Sequence, residues 1–121
     1  IHARMMFHLS SVRYYGEFFE PNKIEYHLRA LEGVFARSPK NYYEQEFYVL
    51  PAAYDAASYY FRVKGDYVNA LKFNSISEKI AKTDFEKMKA QAMYAMIYYE
   101  QKNYSNSLRF TESSLKSMSY N

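Results

Sequence analysis

Cysteine and tryptophan are absent from this chain, and glycine and proline occur only three times each. Without cysteine there is no disulfide framework, no thiolate nucleophile and no thiolate metal ligand, and a reducing cytoplasm is compatible with that usage. With so little glycine and proline, strands joined by glycine turns do not fit, whereas a mostly helical chain does. Long apolar runs are missing too. The longest, Ala92 to Tyr99, falls far short of the roughly twenty residues a bilayer crossing needs, and no basic-then-apolar leader opens the chain, so no membrane span is expected and the segment reads as soluble. A large charge of one sign is also absent. The net +3, from 16 basic and 13 acidic residues, is too small to argue for a nucleic-acid partner.

What is abundant is apolar and aromatic surface. Of the 121 residues 49% are hydrophobic and 20% aromatic, enough for a single domain to bury a real core. The chain starts at Ile1 without an initiator Met and directly in helical pattern, so it is read as a piece of a longer protein.

Apolar spacing of three and four predicts about six helices. In the first, Met5, Leu9 and Val12 share one face and Phe7, Ser11 and Tyr14 another, which suits a helix packed on two sides. After a break at Phe18-Phe19-Glu20-Pro21, Ile24, Leu28, Leu31 and Phe35 mark a second, with Pro21 in its first turn. Asn41 and Glu44 form a candidate capping pair. Tyr43, Phe47, Leu50, Tyr54, Ala57 and Phe61 then make a stripe through Pro51, read either as one helix kinked there or as a new helix starting there.

Gly65-Asp66 precedes a fourth helix carrying Ala70, Phe73, Ile76, Ser77 and Ile80. Thr83 and Glu86 match a capping box ahead of a fifth, in which Phe85, Met88, Ala92, Ala95, Met96 and Tyr99 share a face and Tyr94, Ile97 and Tyr98 widen it. The sixth shows a stripe of Tyr104, Leu108, Thr111, Leu115 and Met118 against polar Ser105, Arg109, Glu112 and Lys116, as expected of an outer helix at the end of a stack.

The most informative feature is a recurrence. Tyr59-Tyr60-Phe61-Arg62-Val63-Lys64-Gly65-Asp66-Tyr67-Val68-Asn69-Ala70-Leu71 is echoed by Ile97-Tyr98-Tyr99-Glu100-Gln101-Lys102-Asn103-Tyr104-Ser105-Asn106-Ser107-Leu108, with a step of 37 from Tyr67 to Tyr104. One such unit cannot bury its apolar face alone, so a recurrence implies stacked modules. Tyr54, Ala57-Ser58, Phe61, Gly65-Asp66-Tyr67, Ala70 and Ser77, followed by Tyr94-Ala95, Tyr98, Asn103-Tyr104, Ser107 and Ser114, resemble the pattern of tetratricopeptide repeats. Asn74 and Thr111 stand where that family prefers an aromatic, and its closing Pro is missing from both copies. Ser11, Tyr14, Ala30 and Leu31 suit a degenerate third copy that lacks the Gly-Asp turn.

The resemblance implies an all-α fold of antiparallel helix-turn-helix pairs stacked as a short α-solenoid: a degenerate pair over 1–37, a pair over 41–82 with a kink or break near Pro51, and a pair over 84–121. It also implies a concave groove that binds a peptide or another protein. Groove places carried over are Asp55, Tyr59 and Arg62 in one copy and Met96, Tyr99 and Glu100 in the next, with His8, Val12 and Tyr15 as the weaker equivalents in the first. Tyr15, Tyr59 and Tyr99 would supply rigid aromatic contact, Arg62 would pair an acidic group or chain terminus, and Asp55 or Glu100 a basic one. Arg62 alone does not make the family's carboxylate clamp.

Nothing in the chain reads as an active site, and no enzyme, cofactor or metal is expected. His2, His8 and His27 have no His, Asp or Glu three or four residues away, so a helical metal pair is not formed. No Gly-x-Ser-x-Gly elbow or glycine-rich phosphate loop is present. Asp55, Glu44 and Glu46 read as solvated helix carboxylates, and the Met5-Met6 and Met93/Met96 sites as adaptable core. The expected function is a protein- or peptide-binding scaffold. The alternatives are the sensory part of a bacterial transcription or signalling regulator, and, less in keeping with the charge, a nucleic-acid-binding helical array. Self-association remains an open partner class.

Overall fold

The computed structural model describes residues 2–38 and 48–118, and within them the fold is all-α. Six helices run in order: α1 His2–Glu17, α2 Pro21–Arg37, α3 Val49–Val63, α4 Tyr67–Ile80, α5 Asp84–Glu100 and α6 Tyr104–Met118. Most starts have a chemical cause. Pro21 opens α2 where its missing N–H has no intrahelical partner. The Asp66 side chain accepts the Asn69 N–H of α4, Thr83 and Glu86 close a full capping box on α5, and Asn103 accepts the Asn106 N–H of α6. The Asn41–Glu44 pair, Tyr43 and Phe47 lie outside the described residues. Pro51 falls in the first turn of α3, where it costs little.

Helices α1 and α2, α3 and α4, and α5 and α6 pack as hairpins, and the hairpins meet mainly through α1 on α3 and α4 on α5. Two serine bonds define the register of the second hairpin and recur in the third. Ser58 Oγ donates to the Ala70 carbonyl at 2.8 Å and Ser77 Oγ to that of Pro51 at 3.4 Å; Ser107 Oγ donates to the Ala95 carbonyl at 2.8 Å and Ser114 Oγ to that of Met88 at 3.4 Å. In both hairpins the partners are 12 residues apart near the turn and 26 apart at the far end, which requires antiparallel helices in one common register.

Near the turn, serine and alanine have exchanged places. Ser58 stands on the first helix of its hairpin and Ser107 on the second of its own, each facing the other's alanine equivalent. Small residues let the backbones approach, and either side can supply the hydroxyl. Ser58→Ala is therefore expected to cost ~1 kcal/mol, and adding Ala70→Ser to recover most of that. Urea midpoints of the two variants test it, and a double variant no better than the single one would sink the claim.

All three hairpin turns share one geometry. The Glu20 N–H donates to the Tyr15 carbonyl at 2.9 Å, Asp66 to Phe61 at 2.9 Å and Asn103 to Tyr98 at 2.8 Å. The residue just before each donor is left-handed: Phe19 at φ 49°, Gly65 at 79° and Lys102 at 63°. Only glycine adopts this region without strain. Phe19 is held there by edge-on packing against Phe61, with the Lys64 ammonium over its ring. The first hairpin thus repeats, with Phe19-Glu20, the turn made by Gly65-Asp66 in the second and Lys102-Asn103 in the third. Met5, Val12, Ile24 and Leu31, all buried, replace the residues of the serine bonds.

One core joins Met5, Leu9, Ile24, Leu28, Val49, Ala57, Phe61, Phe73 and Ile97. Two expectations about helix faces are corrected by it. The face of α1 bearing Phe7 and Tyr14 is exposed, although α1 packs against both α2 and α3. The stripe Tyr104, Leu108, Thr111 and Leu115 of α6 also faces solvent, while Ser107, Phe110 and Ser114 turn toward α5. Spacing alone marked the most apolar stripe; the hairpin register instead selects the stripe of small residues that allows close approach.

Candidate functional site

Of the eight candidate groove residues, five lie together. Arg62, only 9% exposed, donates through Nη1 to Glu100 Oε1 at 2.6 Å, joining α3 to α5. Tyr59, one turn earlier on α3, presents its ring to the Arg62 guanidinium at 5.3 Å. Glu100 lies beside Met96 and Tyr99, which with Ala95, Ser107 and Thr111 line a groove of about 280 Å³ between α5 and α6. Tyr99 meets Tyr104 edge-on at 5.5 Å, extending the groove wall along α6. Tyr59, Met96 and Tyr99 are exposed, whereas Arg62 and Glu100 are engaged with each other. Within the chain those two charges hold α3 and α5 together.

The other three candidates sit elsewhere. Asp55 Oδ2 pairs with Lys89 Nζ at 3.5 Å, a second α3–α5 link, beside a larger cavity of about 480 Å³. That cavity is bounded by Tyr48, Pro51, Lys82, Phe85 and Glu86, and Glu86 is engaged in the α5 cap. His8 and Tyr15 belong to the first hairpin, where both touch His27. Val12 is core. No three of His, Asp and Glu converge as a metal site among the described residues, and no helix there is long and apolar enough to cross a membrane.

Sequence spacing could not reveal the histidine pair, because its members are on different helices. His8 Nδ1 and His27 Nδ1 are 2.9 Å apart, so one must donate and the other accept. Tyr15 stacks on the His27 ring, and Phe7 and Tyr26 meet it edge-on. Burial lowers the pKa of both rings, and the His8 charge lowers that of His27 further. The unfolded chain therefore binds protons that the folded one refuses. Stability should be full above pH 6.5 and fall as pH drops below it through the folded values. Urea midpoints between pH 7.5 and 5.5 test this; His8→Phe should flatten the profile, and an equal slope in that variant would reject the assignment.

Across the hairpin junctions one polar contact recurs. Tyr54 of α3 donates to Glu32 of α2, and Gln91 of α5 donates to Glu78 of α4, which also accepts from Tyr94 at 3.3 Å. Burial and the Glu32 carboxylate push the Tyr54 phenol upward, keeping it a donor. Glu32 and Glu78 each stand 13 residues beyond the left-handed turn residue, and Tyr54 and Gln91 each 11 before it. Asn74 Nδ2 adds a 2.9 Å bond to the Ala90 carbonyl.

Comparison with protein-family models, curated proteins and solved structures finds no match.

Internal equivalence therefore carries the reading of the site. Helix α5 packs against α4 and is tied to α3 by the two ion pairs, so it occupies the groove of the second hairpin. Arg62, Asn74 and Glu78, which bond to α5, have Tyr99, Thr111 and Leu115 as their counterparts 37 residues on, and Tyr59, Tyr67 and Leu71, on the same helices, have Met96, Tyr104 and Leu108. Where the occupied groove has Arg62 and Glu78 as charged anchors, its open copy has Tyr99 and Leu115.

Proposed function

We propose that this chain is a protein- or peptide-binding module built from tetratricopeptide-like helix pairs, with the groove between α5 and α6 as its docking site. The observation that carries this reading is the equivalence of that groove with the one between α3 and α4, which holds a helix of the chain itself. Exposed Met96, Tyr99, Tyr104 and Leu108 are rigid or adaptable apolar groups of the kind that anchor interfaces. The exposed stripe Tyr104, Leu108, Thr111 and Leu115 of α6 is more apolar than its counterpart Tyr67, Leu71, Asn74 and Glu78 on α4, as a docking face is. Arg62 and Glu100 act here as supports of the groove wall.

The test is a selection of helical peptides displayed on phage against the immobilised chain, with a Tyr99→Glu plus Leu108→Glu chain as counter-target. Enriched peptides should bind the unmodified chain at least ~10-fold more tightly, because the changed side chains are exposed and the fold is kept. Peptides that bind both chains equally, or no enrichment, would reject the groove.

A further inference from the structure

The first hairpin carries the counterpart of that groove. In α3, Tyr60 packs on Gly16 and bonds to Glu17 of α1, and buried Ala53 and Ala57 precede it at helical spacing; the three stand 12, 8 and 5 residues before the left-handed turn residue. In α5 the same three places hold Ala90, Tyr94 and Ile97, all buried. In α1 they are Phe7, Ser11 and Tyr14. Phe7 and Tyr14 are 60% and 58% exposed, and Phe18, whose ring meets Tyr14 at 5.1 Å, prolongs the stripe. One end of the stack thus shows the inserting face and the other the receiving groove, where Leu108 and Leu115 are 60% and 58% exposed.

We propose that the occupant of the α5–α6 groove is α1 of a second copy of this chain, docked head to tail. The contact would continue between molecules the arrangement that α5 makes on α4 and α3 within the chain. Polar complementarity supports it at the position where both internal junctions use a donor and a glutamate. At the open ends the donor's place is taken by His8, whose Nδ1 is already bonded to His27, and the glutamate's place by Leu115. The glutamate and its donor are thus both replaced at the open ends, so no carboxylate is buried there; His8 Nε2, free of the His27 bond, stands at the margin of the contact. A head-to-tail contact is heterologous, so it propagates into chains of molecules unless its rotation closes a ring.

This inference rests on the groove reading above and names its partner. Sedimentation of the unmodified chain should show mass rising with concentration past the dimer. Phe7→Glu removes the inserting face and Leu108→Glu the groove; each alone should weaken self-association by about 100-fold or more and sediment as a monomer. Mixed, the two should form a one-to-one dimer, since each retains the face the other has lost. Circular dichroism checks that both variants keep their helices, which is expected because both residues are exposed. A monomeric unmodified chain overturns the inference, as does a two-fold dimer that mixing fails to restore. Groove-dependent peptide binding by a monomeric chain would reject the second copy while leaving the docking site in place.

Discussion

Glu100→Ala is expected to destabilise the fold by ~2–3 kcal/mol, more than Arg62→Met does. Both remove the same 2.6 Å ion pair, so the difference lies in what each leaves behind. Glu100 is about one-third exposed and can return to water when Arg62 is lost, whereas Arg62 is almost fully covered and cannot. Its Nε already lacks a hydrogen bond, so removing Glu100 strands a buried cation, the costly half of a broken pair. The loss falls below the ~3–5 kcal/mol of a fully buried pair because one partner sits at the surface. Met keeps most of the Arg62 stem packing, and the Tyr59 ring then rests on an uncharged chain. Urea unfolding of both variants decides; equal losses, or a larger one for Arg62→Met, would show that packing and not charge governs this junction.

Gly16→Ala should also destabilise, by ~1–2 kcal/mol, although alanine is the better helix former by ~1 kcal/mol. A Cβ at position 16 would fall 2.2 Å from Tyr60 Cδ2 and 2.6 Å from Cγ, within the body of the ring. That ring is anchored through its hydroxyl, which donates to Glu17 at 2.9 Å, so moving it also gives up this bond. Helices α1 and α3 meet here, and the first hairpin would be pushed from the second. In a Tyr60→Ala background the clash is gone, and Gly16→Ala should become neutral or stabilising. A double-mutant cycle should therefore return a coupling of ~2 kcal/mol. Additive effects would mean that the two residues do not touch in solution.

Much of the fold is legible in the sequence because its signals are local. Pro21, Asp66, Thr83 with Glu86 and Asn103 mark helix starts by chemistry that acts within one turn of the chain. The recurrence around Gly65 and Lys102 gives the hairpin spacing, and the small residues Ser58, Ala70, Ala95 and Ser107 mark where backbones approach. The first turn was harder to read. A phenylalanine holds its left-handed position, and the contacts that account for it, the Phe61 ring and the Lys64 ammonium, come from more than 40 residues away.

Within the candidate site the residue types were legible and their partners were not. Tyr59, Arg62, Met96, Tyr99 and Glu100 do lie along one surface, but Arg62 and Glu100 meet each other across 38 residues of chain, as Asp55 meets Lys89. Helical periodicity reports which side chains share a face; it carries no information on which face meets a neighbour. The apolar stripes of α1 and α6 look like core in the sequence because burial and docking draw on the same residues. By itself the sequence determined an all-helical chain, the helix ends and the 37-residue repeat, since capping and spacing are properties of neighbouring residues. Only the tertiary structure decided that Phe7, Tyr14, Leu108 and Leu115 stand in solvent, because the register of each hairpin and the order of stacking determine which apolar face is left without a neighbour.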